Sequence, residues 1–540
     1  MKNLHRFIII ALSFSMALAA CDGQEDDLVE DRLTDFPAAT GPTGSAGTLD
    51  FSNYVAIGAS LTAGFADAAL YDLAQENSFP AMLHNSMTFA GAPATFTQPD
   101  IDSPSGFNTS VQGPAGSGIV LGRFELDTSI PGPSPRTDGD PIGNWAGNAS
   151  DLNNFGIPGA VTAQLLTPLT GTAAEGNTAF NPYYQRYASN PGTSTPIQDI
   201  ISAQPTFFTM TIGANDVLGY AVSGGANDAI LNDPATFQVQ YQAVVDALMD
   251  NTSADGIVAG VPLLLGIPFF RAVPYNAIAL DEATATALNA GFGGFNQLLQ
   301  AAAGATFITA DDAAARTVTY SAGANPILVI DEELTDLGPF FDNLLNLQQI
   351  DQATRAALVP LEQARPLVAG ELVVLSAGSV LGTLFDSENP SSVIGAAVPL
   401  GFNTDGSLSG DRWYLTAAEQ GLINQRSIEF STIIGTIAAT NPRLGYYNPN
   451  TGFAPGDTEF GFLADVQGLD GSLGVVIDGV TLAPDFSPNG IFSTDGIHPN
   501  ARGYAFLANE IMDAIETNWP GTVLPRQSVL NLHGVILKAD

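Results

Sequence analysis

Residues 53–62 read NYVAIGASLT, and this stretch decides the fold class. Residues 53–58 form a short apolar run, which is typical of a strand buried on both faces of a sheet. Comparable runs occur at three later places: Leu152–Ile157, Phe207–Ile212 and Gly256–Val261. Apolar residues at helical spacing lie between these runs, around Phe79 and over residues 237–249. This alternation of strands and helices predicts a parallel α/β sheet.

Two longer helices are predicted in the second half of the chain. One spans Thr416–Ala439, where Thr416 and Glu419 form a capping box, and the other follows Pro499. Two alternating stretches within Thr317–Ile330 favour a hairpin.

We expect one domain over residues 49–525 with two insertions. Residues 86–149 are rich in Gly, Pro, Ser, Asn and Asp, which predicts a long loop or lid. Residues 305–490 are expected to form an insertion packed on the sheet rather than a separate domain, because no linker-like stretch bounds them. Residues 526–540 are expected to form a C-terminal tail.

The N-terminal region has the features of an export signal. Lys2 and Arg6 precede an apolar run that is short for a bilayer span and that ends at Cys21. The pattern resembles a bacterial lipoprotein signal in which residues 1–20 are removed and Cys21 is lipidated, and an ordinary secretory signal with a chance cysteine is the alternative. Residues 21–48 predict a flexible acidic and Gly-rich tether. We therefore expect a protein anchored to a bacterial outer membrane, at the cell surface or in the periplasm, and leave open on which face the anchor lies.

The charge balance excludes several functional classes. The 540 residues carry 55 acidic and 16 basic side chains, a formal charge of −39, and loss of Lys2 and Arg6 with the signal leaves 14 basic side chains and a charge of −41. Such an acidic surface repels polyphosphates, which argues against a nucleic-acid partner. The only other lysine is Lys538, so a Walker-type phosphate loop and lysine Schiff-base chemistry are excluded.

The content of cysteine and of apolar residues narrows the choice further. A single cysteine excludes disulfides within the chain, iron–sulfur clusters and Cys-rich zinc sites. With 45% hydrophobic residues the chain can bury a large core, which excludes wholesale disorder.

One histidine has a neighbour that suits acid–base catalysis. His84 lies in a helix-like apolar context and His533 lies beyond the last predicted helix, so both favour structural roles. His498 lies in the sequence DGIHP, with Asp495 three residues before it. An aspartate at this spacing can accept a hydrogen bond from Nδ1 and leave Nε2 free to take a proton. A capped helix start with an exposed histidine would give the same pattern.

A serine that can act with such a base follows the first predicted strand. The Gly-x-Ser-x-Gly elbow of α/β-hydrolases is absent from the chain, which argues against that fold. Ser60 lies between Gly58 and Gly64 at a strand end, where open α/β sheets place their sites, although the same pattern fits an ordinary helix N-cap serine. Gly159 and Asn215 follow the second and third predicted strands, so all of these candidates lie at strand ends or helix starts.

Together these residues resemble the motif blocks of SGNH hydrolases of the GDSL esterase/lipase family. The blocks stand in the family's order: Gly58-Ala59-Ser60-Leu61-Thr62, then Gly159, then Gly213-Ala214-Asn215-Asp216, then Asp495-x-x-His498-Pro499. Further similarity to large, lipoprotein-type bacterial members occurs at residues 267–276, 331–337 and 495–505. The likeness extends over about residues 50–520.

The resemblance implies a flavodoxin-like three-layer α/β/α sandwich that hydrolyses carboxylic esters. It implies that Ser60 is the nucleophile, that His498 is the base and then the acid, and that Asp495 orients the histidine. The aspartate that usually precedes the serine in the family is Ala59 here. This departure puts the support of the nucleophile turn, and the substrate preference, in question.

The resemblance also implies an oxyanion hole. Its donors would be the backbone amides of Ser60 and Gly159 and the side chain of Asn215. We interpret Asp216 as a structural residue that holds the loop and aims Asn215.

No cofactor or metal is required by this chemistry. The acidic clusters at Asp311-Asp312 and Asp331-Glu332-Glu333 do not match an EF-hand loop, and we interpret them as solvated acidic faces.

The main alternative function is that of a catalytically inactive surface lipoprotein that binds glycans or proteins. Three tryptophans, Trp145, Trp413 and Trp519, are few for a glycan-binding platform. For an enzyme, lipid esters, acetylated polysaccharides and short or aryl esters all remain open as substrates, as does the oligomeric state. The acidic surface favours neutral esters.

Overall fold

A five-stranded parallel sheet lies at the centre of the computed structural model, which describes residues 43–114, 116–127, 132–451 and 475–538. Its strands are β1 (Tyr54–Gly58), β2 (Asn154–Gly156), β3 (Phe207–Thr211), β4 (Asp255–Ala259) and β5 (Leu444–Tyr447). They lie in the order β5-β4-β3-β1-β2, and every neighbouring pair is parallel. The predicted α/β class with a parallel sheet is therefore confirmed.

Four of the five strands coincide with the predicted apolar runs. Every residue of β1 is buried, because strands lie on both sides of it and helices cover the sheet. The fifth strand, β5, lies inside the predicted insertion 305–490, so that boundary is wrong. β5 is an edge strand in which only alternate residues are buried, and its sequence LGYY therefore lacks the continuous apolar run that marks the others.

Six helices matter for the site: α1 (Phe79–Thr88), α2 (Asn215–Val222), α3 (Pro234–Asn251), α4 (Glu282–Gly304), α5 (Ala417–Ala439) and α6 (Ala501–Asn518). Helix α6 packs against α1 and β5, whereas α5 packs against α3, β4 and β5. The predicted capping box of α5 is confirmed: Thr416 Oγ1 accepts from the Glu419 amide, and the Glu419 carboxylate accepts from the Thr416 amide. The arrangement is compatible with an α/β sandwich.

Shorter elements connect these parts. The remaining α-helices among the described residues are Ser60–Ala63, Asp72–Glu76, Pro182–Gln185, Pro196–Ser202, Ala310–Arg316, Gly338–Asn346 and Gln352–Leu358. Antiparallel two-stranded pairs are Ser45–Ala46 with Thr522–Val523, Phe124–Leu126 with Pro133–Pro135, Ile278–Leu280 with Gly323–Asn325, Leu328–Ile330 with Ala364–Pro366, Leu372–Val373 with Tyr414–Leu415 and Val475–Ile477 with Val480–Leu482. The first of these pairs shows that the end of the predicted tether 21–48 belongs to the fold.

The hairpin predicted within Thr317–Ile330 is wrong. The two strands in this range, Gly323–Asn325 and Leu328–Ile330, pair with different strands that lie outside it. At the end of the first strand, Asn325 Nδ2 donates to the carbonyls of Ser321 and Gly323 at 2.8 Å each, which closes the preceding loop on itself. Pro326 follows and has no amide hydrogen to contribute to a ladder.

A second hydrophobic cluster lies within residues 285–364 and includes one face of α4. The first part of the predicted insertion, up to residue 364, thus shares a separate core with α4, whereas buried residues from Leu367 to Leu415, together with α5 and β5, belong to the main core.

The structure describes most of the predicted C-terminal tail but not the predicted signal and lipidation site at the N-terminus. The predicted signal peptide 1–20, the lipidation residue Cys21 and the tether up to residue 42 lie outside the described residues. Within the described ranges, no helix is long and apolar enough to cross a membrane. The described part of the predicted tail 526–540, up to residue 538, packs on the loop region 86–149, where the Leu126 amide donates to the Ile536 carbonyl at 2.9 Å.

Candidate active site

The nucleophile turn follows β1 directly. Ser60 is the first residue of the helix Ser60–Ala63, so its amide has no partner within that helix. Its Oγ lies 2.8 Å from Nε2 of His498, which stands 438 residues later in the chain. The turn is held in place because the Phe65 amide donates to the Ser60 carbonyl at 3.0 Å and Asn154 of β2 donates to the Thr62 carbonyl at 2.9 Å.

Ala59 stands where the family resemblance would place an aspartate. It is buried and offers no side-chain cap to the helix that Ser60 begins. Thr62 Oγ1 lies 2.7 Å from Thr211 Oγ1 at the end of β3, and this hydrogen bond ties the turn to the sheet. The turn therefore has support that does not depend on a carboxylate at position 59.

Asp495 orients the imidazole of His498. Its Oδ2 accepts from His498 Nδ1 at 2.8 Å and from the Ala68 amide at 3.0 Å, while its Oδ1 accepts from the amides of Ile497 and His498 at 2.8 and 2.9 Å. Burial acts to raise the pKa of Asp495, but the nearby imidazole and these hydrogen bonds outweigh it and lower the pKa to about 2. Asp495 is thus a fully paired, ionised acceptor that leaves Nε2 of His498 directed at the serine.

The turn that carries this pair leads into α6 and depends on a glycine. Gly496 has a φ of +73°, and a Cβ at this position would lie 3.0 Å from the Phe269 nitrogen and 3.1 Å from Cδ2 of Leu375. The Phe269 amide also donates to the Gly496 carbonyl at 2.8 Å. Side chains other than hydrogen are disfavoured by both the backbone conformation and the space. Phe269 and Leu375 thus pack against the turn that lies between Asp495 and His498.

Gly159 presents its backbone at the end of β2, beside the nucleophile strand. Its φ is +77°, and no atom lies within 4 Å of the place a Cβ would take. The carbonyl of Pro158 accepts a hydrogen bond from Asn181 Nδ2 at 2.8 Å. Because the carbonyl and the amide hydrogen of a trans peptide point in opposite directions, this bond fixes the Gly159 N–H away from Asn181. Asn181 was not among the predicted site residues.

Asn215 and Asp216, at the start of α2, both bind the loop that contains Gly159. Asn215 Nδ2 donates to the Ala160 carbonyl at 2.9 Å, which leaves its second amide hydrogen available. Asp216 Oδ2 accepts from the amide and the hydroxyl of Thr162 at 2.9 and 3.0 Å. Asp216 therefore binds the loop that contains Gly159, in agreement with its interpretation as a structural residue.

Ser60, Asn215 and His498 line one pocket at the carboxyl edge of the sheet, and Gly159 stands at the adjacent strand end. The chain matches no family model, no curated protein and no solved structure. The resemblance to SGNH hydrolases therefore rests on the motif residues and on the geometry described here.

A segment just after the nucleophile turn, at Asp67 and Ala68, binds the turn that carries Asp495 and His498. Asp67 Oδ1 accepts from the amide and the hydroxyl of Thr494 at 2.8 and 2.6 Å, and its Oδ2 accepts from the Tyr71 hydroxyl at 2.7 Å. Burial raises the pKa of Asp67 even though these hydrogen bonds act to lower it. Asp67 and Ala68 have φ angles of 53° and 62°, which residues other than glycine seldom adopt and which occur preferentially at functional sites. This conformation brings the Ala68 amide to Asp495.

Sequence analysis missed the Asp67 segment. The only local signal is a single carboxylate within the apolar stretch AGFADAALY, residues 63–71. The loop region 86–149 supports the segment, because the Thr109 amide donates to the Ala68 carbonyl at 2.9 Å and the Phe124 amide donates to the Asp67 carbonyl at 2.8 Å. This region therefore holds part of the site in place.

The other two described histidines make contacts elsewhere. His84 of α1 packs on Phe96, with ring centroids 5.0 Å apart, and His533 Nδ1 donates to the Gly534 carbonyl at 3.0 Å. The imidazole of His498, in contrast, is covered by Phe65, whose ring centroid lies 4.9 Å away.

Two of the five carboxylates in the acidic clusters pair with arginines. Asp331 is buried and accepts from Arg365 Nε at 2.5 Å, and Asp312 accepts from the buried Arg316 at 2.6 Å. The interpretation of both clusters as solvated faces is therefore wrong for these two carboxylates, because each compensates a buried guanidinium. Among the residues that the structure describes, no group of three or more His, Cys, Asp or Glu side chains is arranged to hold a metal ion.

Proposed function

We propose that this chain is a serine esterase of the SGNH hydrolase type, which cleaves carboxylic esters through an acyl-enzyme. The observation that carries the proposal is the continuous hydrogen-bonded line from Ser60 Oγ through the His498 imidazole to Asp495, with both distances at 2.8 Å. These residues lie at the carboxyl edge of a parallel sheet, where open α/β folds place their sites. The three-layer sandwich of the family is part of the proposal: α1 and α6 would form one helical layer, and α3 and α5 the other.

Acylation begins when Ser60 Oγ attacks the ester carbonyl while Nε2 of His498 takes its proton. The carbonyl oxygen becomes negative in the tetrahedral intermediate. The amides of Ser60 and Gly159 and the second Nδ2 hydrogen of Asn215 donate to it. Nε2 then gives the proton to the leaving alcohol, and the acyl group stays on Ser60.

Deacylation repeats these steps with water as the nucleophile. His498 takes a proton from water and returns it to Ser60 as the acid leaves. Asp495 accepts the Nδ1 hydrogen throughout and stabilises the imidazolium. Because its pKa is about 2, Asp495 stays ionised under any neutral assay condition.

A fluorophosphonate probe tests the proposal directly, because it forms a bond only with an activated serine. We expect labelling of the wild type, none of Ser60→Ala, and full labelling of Ser253→Ala, a control that alters an exposed serine elsewhere. Circular dichroism should show that all three fold alike. An unlabelled but folded wild type would contradict the esterase proposal and favour the glycan- or protein-binding lipoprotein.

We further propose that the mature chain is anchored to a bacterial membrane through Cys21. This rests on the sequence alone, since Cys21 follows Leu18 and the small residues Ala19 and Ala20. Growth with an alkynyl palmitate should label the wild type but not Cys21→Ser. A wild type that is exported and cleaved but never labelled would instead establish the ordinary secretory signal.

A further inference from the structure

An apolar pocket begins at the proposed catalytic residues and continues under the sheet edge. Ser60, Asn215 and His498 stand at one end of it. Its walls come from the turns after β3 and β4, from α2, from the end of β5 and from α6; the main apolar members are Leu218, Leu264, Ile267, Phe492, Leu507 and Ile511. The space inside it that the centres of water-sized molecules can reach is about 110 Å³, so the pocket is narrow.

The pocket offers few polar partners beyond the reacting groups. Thr211, at its edge, already shares its hydroxyl with Thr62. Among the described residues that line it, no Lys, Arg, Asp or Glu is present. A sugar or a charged group would lose its hydration in such a space without gaining compensating hydrogen bonds, whereas a hydrocarbon gains from burial.

We propose that this pocket holds an aliphatic acyl chain of medium length, so that the substrates are medium-chain acyl esters. The proposal rests on the proposed esterase function and names its substrate class. The pocket extends from the end of β1 past β3 and β4 to Tyr447 at the end of β5. These are three strand spacings, or roughly 14 Å, which an octanoyl to dodecanoyl chain can fill.

The order of the two steps indicates that the pocket binds the acyl part of the ester rather than the alcohol part. The acyl group stays bound to Ser60 between the two steps, while the alcohol leaves and water takes its place. A dry pocket suits the part that stays, whereas the alcohol side must admit water. The exposed Gly159 lies on the opposite side of β1, next to β2. The alcohol therefore lies toward solvent, and its chain length should matter little.

Chain-length dependence is the primary measurement. Each methylene that enters the pocket should raise kcat/KM about fourfold, the equivalent of about 0.8 kcal/mol. From butyryl to octanoyl p-nitrophenyl esters we therefore expect an increase on the order of a hundredfold, followed by a decline for palmitoyl. Ethyl and octyl octanoates should differ only a few-fold.

Two variants link this profile to the pocket. Ala259, half-buried at the end of β4, lines its middle, so Ala259→Leu should reduce the octanoyl-to-acetyl ratio of kcat/KM at least tenfold. Leu218→Ala enlarges the pocket and should move the optimum toward longer chains. Ala287→Leu adds the same atoms on an exposed position of α4 and should leave the profile unchanged. Thermal unfolding should show that each variant folds.

The outcomes separate this proposal from the esterase proposal. Fluorophosphonate labelling of Ser60 together with a flat or falling acyl profile would overturn the acyl pocket and leave the esterase intact. Equal profiles for wild type, Ala259→Leu and Leu218→Ala would overturn it as well, as would a dependence on the alcohol chain instead of the acyl chain. Absence of labelling would overturn the esterase itself.

Discussion

Asn215 allows the sharpest test of the proposed oxyanion hole, because its amide does two things that can be separated. One Nδ2 hydrogen binds the Ala160 carbonyl at 2.9 Å, and the other is free for the developing oxyanion. Asn215→Ala removes both. Loss of one oxyanion donor costs about 2.7–4 kcal/mol of transition-state stabilisation, so kcat should fall about 10²–10³-fold with little change in KM. Loss of the Ala160 bond should cost about 1 kcal/mol of folding stability.

Thr162→Val is the matched control for the loop. It removes the hydroxyl that donates to Asp216 at 3.0 Å but keeps the amide bond to the same oxygen at 2.9 Å and every proposed oxyanion donor. The variant should lose roughly 1.5–3 kcal/mol of stability, because the lost bond goes to a carboxylate, while kcat should change only a few-fold.

Steady-state kinetics on one p-nitrophenyl ester and urea denaturation of the three proteins give all the quantities needed. Asn215→Ala should show the larger loss of kcat and the smaller loss of stability. Two results would refute the reasoning: an Asn215→Ala enzyme whose KM rises at constant kcat, or a Thr162→Val enzyme that loses as much kcat as Asn215→Ala. The first would make Asn215 a ground-state binding residue, and the second would make its effect that of the loop.

Three further predictions concern carboxylates, of which Asp495 and Asp67 are buried and Asp411 is half-buried. Asp495→Asn keeps the shape of the side chain but cannot hold His498 in the required tautomer, so kcat should fall by about 10⁴ without loss of fold, as steady-state kinetics and circular dichroism would show. Asp67→Ala leaves buried donors of Thr494 and Tyr71 unpaired; it should lower the free energy of unfolding by on the order of 3 kcal/mol and reduce kcat more than it raises KM. Burial and the neighbouring Glu332 raise the pKa of Asp411 to about 7, so the folded state holds a proton that the unfolded state has released, and stability should fall as pH rises from about 4 to about 7. In Asp411→Asn this fall is absent, so its melting temperature should gain on the wild type from about pH 4 to about pH 7; a constant difference would show that Asp411 does not titrate in this range.

The sequence predicts elements well where burial is complete on both sides. β1, β3 and β4 are continuous apolar runs because strands flank them and helices cover them. β5 could not be recognised in the same way, since this edge strand, unlike β2, buries only alternate residues. Likewise, the expected hairpin does not form, because the strand that ends at Asn325 and the strand that follows Pro326 each pair with a different strand tens of residues away.

Some residues of the candidate site can be predicted from the sequence and others cannot. Ser60, Asn215 and His498 follow or precede regular elements and can be predicted from where the elements end. Asp67 cannot, because its partner Thr494 is 427 residues away and the strained backbone that brings them together leaves no periodic trace. The reaction allows only a few residue types at the reacting positions, so these positions can be recognised in a sequence. A residue that positions them needs only the right contact in the folded chain, which the sequence does not show.

The large excursion between β4 and α5 contributes to the site although none of its residues reacts in the proposed mechanism. Phe269, in the turn after β4, donates its amide to the Gly496 carbonyl, and Leu375 lies against the α-carbon of the same glycine. Gly496 lies in the turn between Asp495 and His498, and Nε2 of His498 stands 2.8 Å from Ser60 Oγ. A shift of this contact would move the base relative to the nucleophile, and a displacement of about 1 Å can cost about 10² in rate. The excursion therefore contacts the proposed site at Gly496 and in the pocket wall formed by Leu264 and Ile267, so a long segment that supplies no reacting residue can still be required for a precise active-site geometry.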